Sequence, residues 1–272
     1  MSSPGKQSTK TSITTNDNVT IGELYMASRR FHLINDYYNE DEPLYKKKDI
    51  SLKSGVTVLV GCNGIGKTTM LHQIEAKLKE KKIPCIYYDN LHEGGSSSIS
   101  EAMFYGDIAF GATAMCSSEG ENIVMNMGKL ASKLGHFIKT GESRKRSKLE
   151  QSMRTAYGVK EEAPEEPIKE RWILLDAIDS GLSVDNIVDL KEYLFKVIQE
   201  HSKELGVDTY IVISANEYEM ARNEQCFLVH EGKYVPIDSY EEYRGLVVLS
   251  REYKDKRQGI QEENSEQPTL TR

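Results

Sequence analysis

Gly61-Cys62-Asn63-Gly64-Ile65-Gly66-Lys67-Thr68-Thr69 fits the pattern G-x-x-x-x-G-K-[ST] at every required position. Its flanks fit as well. Val56-Thr57-Val58-Leu59-Val60 reads as a buried strand, and Thr69 to Lys82 reads as a helix, with Met70, Leu71, Ile74 and Leu78 near a helical period. A strand, a glycine-rich turn and a helix N-terminus aim successive backbone N–H groups at one place, where the helix dipole favours an anion. Glycines let the backbone wrap closely around phosphates. Within that pattern Lys67 reaches the β- and γ-phosphates and the Thr68 hydroxyl ligates Mg²⁺.

Outward from this loop the chain alternates strands and helices. Upstream, Ile50 and Leu52 alternate with polar neighbours and lead to a turn at Gly55, a half-buried strand. The lysines Lys46, Lys47 and Lys48 read as a solvated strand edge. Downstream, Ile83 to Tyr88 reads as a second core strand, followed by a Gly/Ser loop at 92–98 and a helical stretch at 99–115. Asn122 to Thr140 carries Ile123, Met127, Leu130, Leu134 and Phe137 on one face, and Ser118 with Glu121 forms a capping box before it.

Trp172-Ile173-Leu174-Leu175-Asp176 is an apolar strand ending in a carboxylate. Beside a phosphate loop, such an Asp is directed at the metal. A turn at Asp179–Ser183 leads to a helix from Asp185 to His201, then to a β-branched strand, Thr209 to Ser214. Cys226 to His230 and Lys233 to Val235 read as a hairpin with a two-residue turn at Glu231-Gly232, and Ser239 to Tyr253 as a helix. Strand–helix alternation of this kind predicts an α/β fold with a mostly parallel sheet.

Composition sets the outer limits. The chain has 272 residues, 38% hydrophobic and 28% charged, enough for a packed core. A net charge of −7 gives no global field for nucleic acid. Cys62, Cys85, Cys116 and Cys226 form no C-x-x-C pair, which argues against a zinc site and a disulfide framework and suits a cytoplasmic location. No apolar run approaches the roughly 18 residues of a membrane span, so no membrane insertion is expected. Residues 1–20 and 254–272 are expected to be polar, disordered tails around a head at 21–253. Residues 141–171, basic at Arg144–Lys148 and then acidic with Pro164 and Pro167, read as a charged insertion in that head.

The phosphate loop, Ser-Ser-Glu-Gly-Glu before a helix, and a strand to Asp with Ser180-Gly181-Leu182 just beyond occur in one order. Together they resemble an ATP-binding-cassette (ABC) ATPase over residues 45 to 235. Ser117 to Glu121 is similar to that family's signature, with Glu119 in place of a usual glycine. The resemblance implies a phosphate-loop NTPase fold with an antiparallel β part and a helical segment carrying the signature. It implies ATP and Mg²⁺ as ligands, held by Gly61, Asn63, Gly64, Gly66, Lys67, Thr68 and Thr69, with Thr68 and Asp176 on the metal. It also implies a homodimer in which Ser118 and Gly120 of one head meet the ATP on the other.

Glu121 at the signature's end resembles the chromosome-maintenance and DNA-repair branch, which makes DNA or a protein partner an expectation. The family's general-base glutamate has Ala at its place, Ala177, with Asp179 as the nearest substitute. Its switch histidine has no counterpart at Ala215 or Asn216, and Asn216 or Glu217 is the polar replacement there. Asn90 is the nearest amide to the family's Gln loop, and Tyr37 or Tyr38 the candidate to stack on adenine. Without a base, hydrolysis is expected to be slow. The alternative is a nucleotide-gated switch that binds ATP without appreciable turnover. A small-molecule kinase fits the segments after the phosphate loop less well.

Overall fold

The computed structural model describes residues 27–35, 43–90, 119–143, 156–157 and 168–258. The fold is mixed α/β. In chain order the elements are β1 (Ser28–His32), β2 (Asp49–Lys53), β3 (Gly55–Val60), α1 (Lys67–Glu80), β4 (Cys85–Asp89), α2 (Glu119–Thr140) and β5 (Glu170–Asp176). They continue with α3 (Val184–Asp189), a π-helical segment (Leu190–Phe195), α4 (Lys196–Glu204), β6 (Asp208–Ser214), α5 (Tyr218–Ala221), β7 (Gln225–Leu228), β8 (Lys233–Val235) and α6 (Tyr240–Arg257).

A six-stranded sheet has the order β4-β5-β6-β3-β7-β8. Every neighbouring pair is parallel except β7–β8. β1 and β2 form a separate antiparallel pair. The sheet is therefore mostly parallel with an antiparallel part, as expected. Each strand sends alternate side chains to opposite layers. Val56, Val58, Ile173, Ile211 and Ile213 join Leu130, Leu134 and Phe137 of α2 and Ile187, Leu190 and Ile198 of the α3–α4 segment. Leu59, Trp172, Leu174, Tyr210 and Val212 join Met70, Leu71 and Ile74 of α1 and Phe31, Ile50 and Leu52 of the β1–β2 pair. Burial on both faces explains why β3, β5 and β6 are near-continuous apolar runs.

β1 had no sequence signal. Its five residues, Ser-Arg-Arg-Phe-His, bury Phe31 alone. Its place is set by tertiary contacts. Phe31 meets Trp172 edge-on with ring centroids 5.2 Å apart, and Arg29 pairs with Glu170 at 2.7 Å. Trp172 stacks on Tyr210 at 4.0 Å. Such aromatic pairs add about 0.5–1.5 kcal/mol beyond their buried area.

Several element bounds differ from the sequence expectation. The helix expected from Asp185 to His201 spans 184–204 and contains the π-helical segment. α2 begins at Glu119 rather than Asn122. The β7–β8 connection has four residues, 229–232, rather than two, because the Val229 N–H bonds the Val60 carbonyl and stays with β3 while β8 turns away. α6 runs through Arg257. Ser239 caps its start by accepting the Glu242 N–H at 3.2 Å, and Glu242 reaches back to accept the N–H of Asp238, one residue before the cap, at 2.8 Å.

The β7–β8 turn places His230 under α6. His230 is fully buried, stacks on Tyr253 at 5.0 Å, and neither ring nitrogen has a hydrogen-bond partner. Burial holds its imidazole below the usual 6.5, with Lys46 and Lys233 acting in the same direction and Glu231 opposing them. The unfolded chain therefore takes up the proton first as pH falls, and stability drops from 6.5 toward the lower folded value. Glu231, whose carboxyl the Lys46 hydrogen bond holds below 4.5, loses its contribution only at lower pH. Between about pH 7 and pH 5.5 the melting temperature is expected to fall in the native protein and to fall less in His230→Phe. Parallel thermal-melt curves for the two proteins would refute this.

Candidate nucleotide site

β3 ends at Val60 and α1 begins at Lys67, so residues 61–66 form a turn on the C-terminal edge of the sheet. Gly66 adopts φ 105, a left-handed conformation. A side chain there would also lie 3.1 Å from Leu44 Cδ2 and from the Tyr45 hydroxyl oxygen. Tyr45 donates its hydroxyl to the Gly66 carbonyl at 2.9 Å, so the residues before β2 brace the loop. Glycine is required at this position by backbone and by space. Two reciprocal amide pairs hold the flank: Gln73 with the Ile34 backbone (2.6 and 2.9 Å), and Asn35 with the Tyr45 backbone (2.5 and 2.6 Å).

Sheet register then assembles the rest. Leu59 of β3 pairs with Ser214 of β6, and Ser214 pairs with Asp176 of β5. Asp176 therefore stands two strands, about 10 Å, from the strand that carries the loop. It is 5% exposed. Its Oδ2 accepts the Tyr87 hydroxyl at 3.0 Å, and its Oδ1 is buried without a partner. Burial, then the charge and hydrogen bond of Asp176, push the Tyr87 phenol well above its ordinary value, so it stays a donor.

Lys67 is buried, and its Nζ donates to the Gly61 carbonyl at 2.7 Å and to Asn216 Oδ1 at 2.8 Å. Burial lowers its pKa, while Cys62, Asp179 and Asp176 oppose the shift. Asn216 is gripped from three sides. Its N–H goes to Asp179 Oδ2 at 2.6 Å, its carbonyl accepts the Tyr243 hydroxyl at 2.7 Å, and its side chain meets Lys67. The same Asp179 oxygen accepts the Glu217 N–H at 2.7 Å. Asp179 is 3% exposed; its Oδ2 shapes the 216–217 turn, and its Oδ1, like that of Asp176, is buried without a partner. The helix after that turn is tied down by Lys191 of the π-helical segment, which donates to the Glu219 carbonyl at 3.0 Å.

These residues border an open cleft of about 1170 Å³, shared by Asn63, Gly64, Gly66, Lys67, Thr68, Thr69, Asp176, Ala177, Ser214 and Asn216. Gly61 lies beneath it as the acceptor for Lys67. Thr68 is exposed. The Asp176 carboxylate and the Thr68 hydroxyl fit a hard cation that takes oxygen ligands and keeps water and phosphate in its shell. The orphan Oδ1 supports that fit, because an unpaired buried carboxylate oxygen is costly unless a cation takes it. Among the described residues no cluster of three or more His, Cys, Asp or Glu could hold a metal ion by itself.

Gly120 lies in the first turn of α2. Ser118, Tyr37 and Tyr38 lie outside the described residues. Asn90 donates to the carbonyls of Ala177 at 3.2 Å and Ser180 at 3.0 Å, so it braces the turn beyond Asp176. Tyr45, Tyr87 and Tyr243 were not assigned a place at the site from the sequence. Tyr87 alone had a local signal, as a hydroxyl one strand over from Asp176 near the strand's C-terminal end.

Searches of protein-family models and of curated proteins give no match to this chain. Solved structures with similar folds include MJ1267, an ATP-binding cassette of an ABC transporter in its ADP conformation, at 14% identity and TM-score 0.40, covering 84% of this chain and 98% of that one. A nucleotide-free ATP-binding cassette from an ABC transporter follows at 14% identity and TM-score 0.38, covering 85% and 98%. cbiO1 from Clostridium perfringens, part of the ABC transporter complex cbiONQ, has 19% identity and TM-score 0.36, covering 85% and 94%. Likeness at this level carries no argument about activity, which rests on the residues of the cleft.

Proposed function

We propose that the protein binds Mg-ATP as one head of an ABC-type dimer and hydrolyses it slowly. The observation that carries this is the pairing of a phosphate loop, with Lys67 held ready at its centre, with the orphan Asp176 oxygen across the cleft. The loop amides and Lys67 would take the phosphates, and Thr68 and Asp176 would hold Mg²⁺, which neutralises phosphate charge when bound. Asn216, bonded to Lys67 and fixed by Asp179 and Tyr243, sits where a residue could register the terminal phosphate. Asn63, Gly64 and Thr68 are exposed on the open side, which supports a composite site closed by the Ser118–Gly120 segment of a second copy. Among the described residues no helix is long and apolar enough to cross a membrane.

Slow turnover is proposed because, among the described residues, the carboxylates lining the cleft are Asp176 and Glu80. Glu80 is thirteen residues along α1 from Lys67, about 20 Å away. Asp179 has a carboxylate oxygen committed to two backbone N–H groups. This same feature favours a second reading, a switch that binds ATP, assembles and does not turn over. A role in DNA repair or chromosome handling rests on Glu121 at the signature's end.

Size-exclusion with light scattering tests the shared part. Mass is expected to double with Mg-ATP and to stay monomeric in Ser118→Arg. An unchanged mass with ATP would rule out head-to-head closure.

A further inference from the structure

α6 is fastened along the phosphate loop. Ser250 Oγ accepts the Cys62 N–H at 2.7 Å in the buried interior, and Lys254 Nζ donates to the Asn63 carbonyl at 3.3 Å. Tyr253 donates to the Pro43 carbonyl at 2.6 Å, and Tyr243 to the Asn216 carbonyl. Arg257 lies one helical turn beyond Lys254 on the same face. It borders the same cleft as Lys67, Thr68 and Asp176.

We infer that Arg257 is a phosphate-binding residue of this cleft, supplied by α6 to the phosphate chain of the bound nucleotide. The inference rests on the nucleotide-binding reading. The ordinary reading of Lys254, Lys256 and Arg257 is that cations complement the carbonyl end of the helix. That reading accounts for Lys256, which is exposed, but not for Arg257. Its Nη1 is buried and has no hydrogen-bond partner. A buried donor with no acceptor is costly, and a guanidinium presents five donors in a fork that matches phosphate oxygens. The phosphate-loop residues Gly64, Gly66, Lys67 and Thr68 border the same cleft. Occupancy of the cleft would thereby be felt directly by the C-terminal helix.

Calorimetric titration with Mg-ATP and with Mg-ADP tests this on the native protein, Arg257→Gln, Arg257→Lys and Lys67→Ala. Arg257→Gln is expected to weaken ATP about ten- to a hundredfold, as for a lost charge-assisted bond. Arg257→Lys is expected to lie between, keeping the charge without the fork. Nucleotide-free melting temperature is expected not to fall in either, since neither variant loses a hydrogen bond that the empty protein makes through Nη1. Affinity in Arg257→Gln equal to the native value would overturn the inference. So would a melting temperature that falls in step with affinity, since that marks a structural role. Failure of the native protein to bind ATP would overturn the nucleotide reading itself, and this inference with it. Native binding that only Lys67→Ala loses would overturn this inference alone.

Discussion

Lys67→Ala is expected to weaken Mg-ATP binding about a hundredfold, roughly 3 kcal/mol, and to leave the nucleotide-free fold intact. The Lys67 ammonium is 7% exposed, with the Gly61 carbonyl and Asn216 Oδ1 as its acceptors. Burial already disfavours its charged form, so the empty protein gains little from keeping a charge there. A polyphosphate reverses that balance by supplying anionic oxygens at the cation. The cost of truncation should therefore appear in binding and not in folding. Two measurements separate these: calorimetric titration with Mg-ATP, and the melting temperature with and without nucleotide. The native protein is expected to gain thermal stability with Mg-ATP, and the variant to gain almost none. Affinity in the variant within threefold of native would remove the phosphate loop from the binding site.

The sequence made visible those parts of the site that depend on neighbours along the chain. A strand, a glycine turn and a helix are local, so residues 56–69 declared themselves. Asp176 did so because it ends a continuous apolar run. Parts that depend on contacts between distant segments did not. Tyr45 braces Gly66 across 21 positions, and Ser250 meets Cys62 across 188. A tyrosine in a strand or a serine in a helix carries no local sign of such a bond. α6 extends through Arg257 although residues 254–257, Lys-Asp-Lys-Arg, add no apolar position to its period. The last turn is held instead by Lys254 on the loop. Asp179 illustrates the opposite case. Spacing suggested a substitute base; the structure adds what spacing could not, that Oδ2 accepts two backbone N–H groups while Oδ1 is buried without a partner.

Ala177→Glu is expected to raise steady-state ATP turnover by about a hundredfold or more, since a positioned general base contributes about 10²–10⁴-fold. Ala177 follows Asp176 directly and borders the cleft. Its backbone is left-handed, φ 50, and its carbonyl is held by Asn90. Alanine already bears the steric cost of that conformation, so glutamate adds no comparable strain. The substitution would put a carboxylate beside Asp176 in a cleft where, among the described residues, the other carboxylate is Glu80 at the far end of α1. Phosphate release by the native protein, Ala177→Glu and Lys67→Ala then separates the two proposed functions. Native turnover above the Lys67→Ala level, raised further by Ala177→Glu, marks a slow ATPase that lacks only its base. Native turnover equal to that level, with activity appearing in Ala177→Glu, marks a switch that alanine keeps from firing. A glutamate variant no faster than native would show that the missing carboxylate is not what limits the chemistry. Water would then have to be oriented by Asn216, whose amide already meets Lys67 at the place where the terminal phosphate would lie.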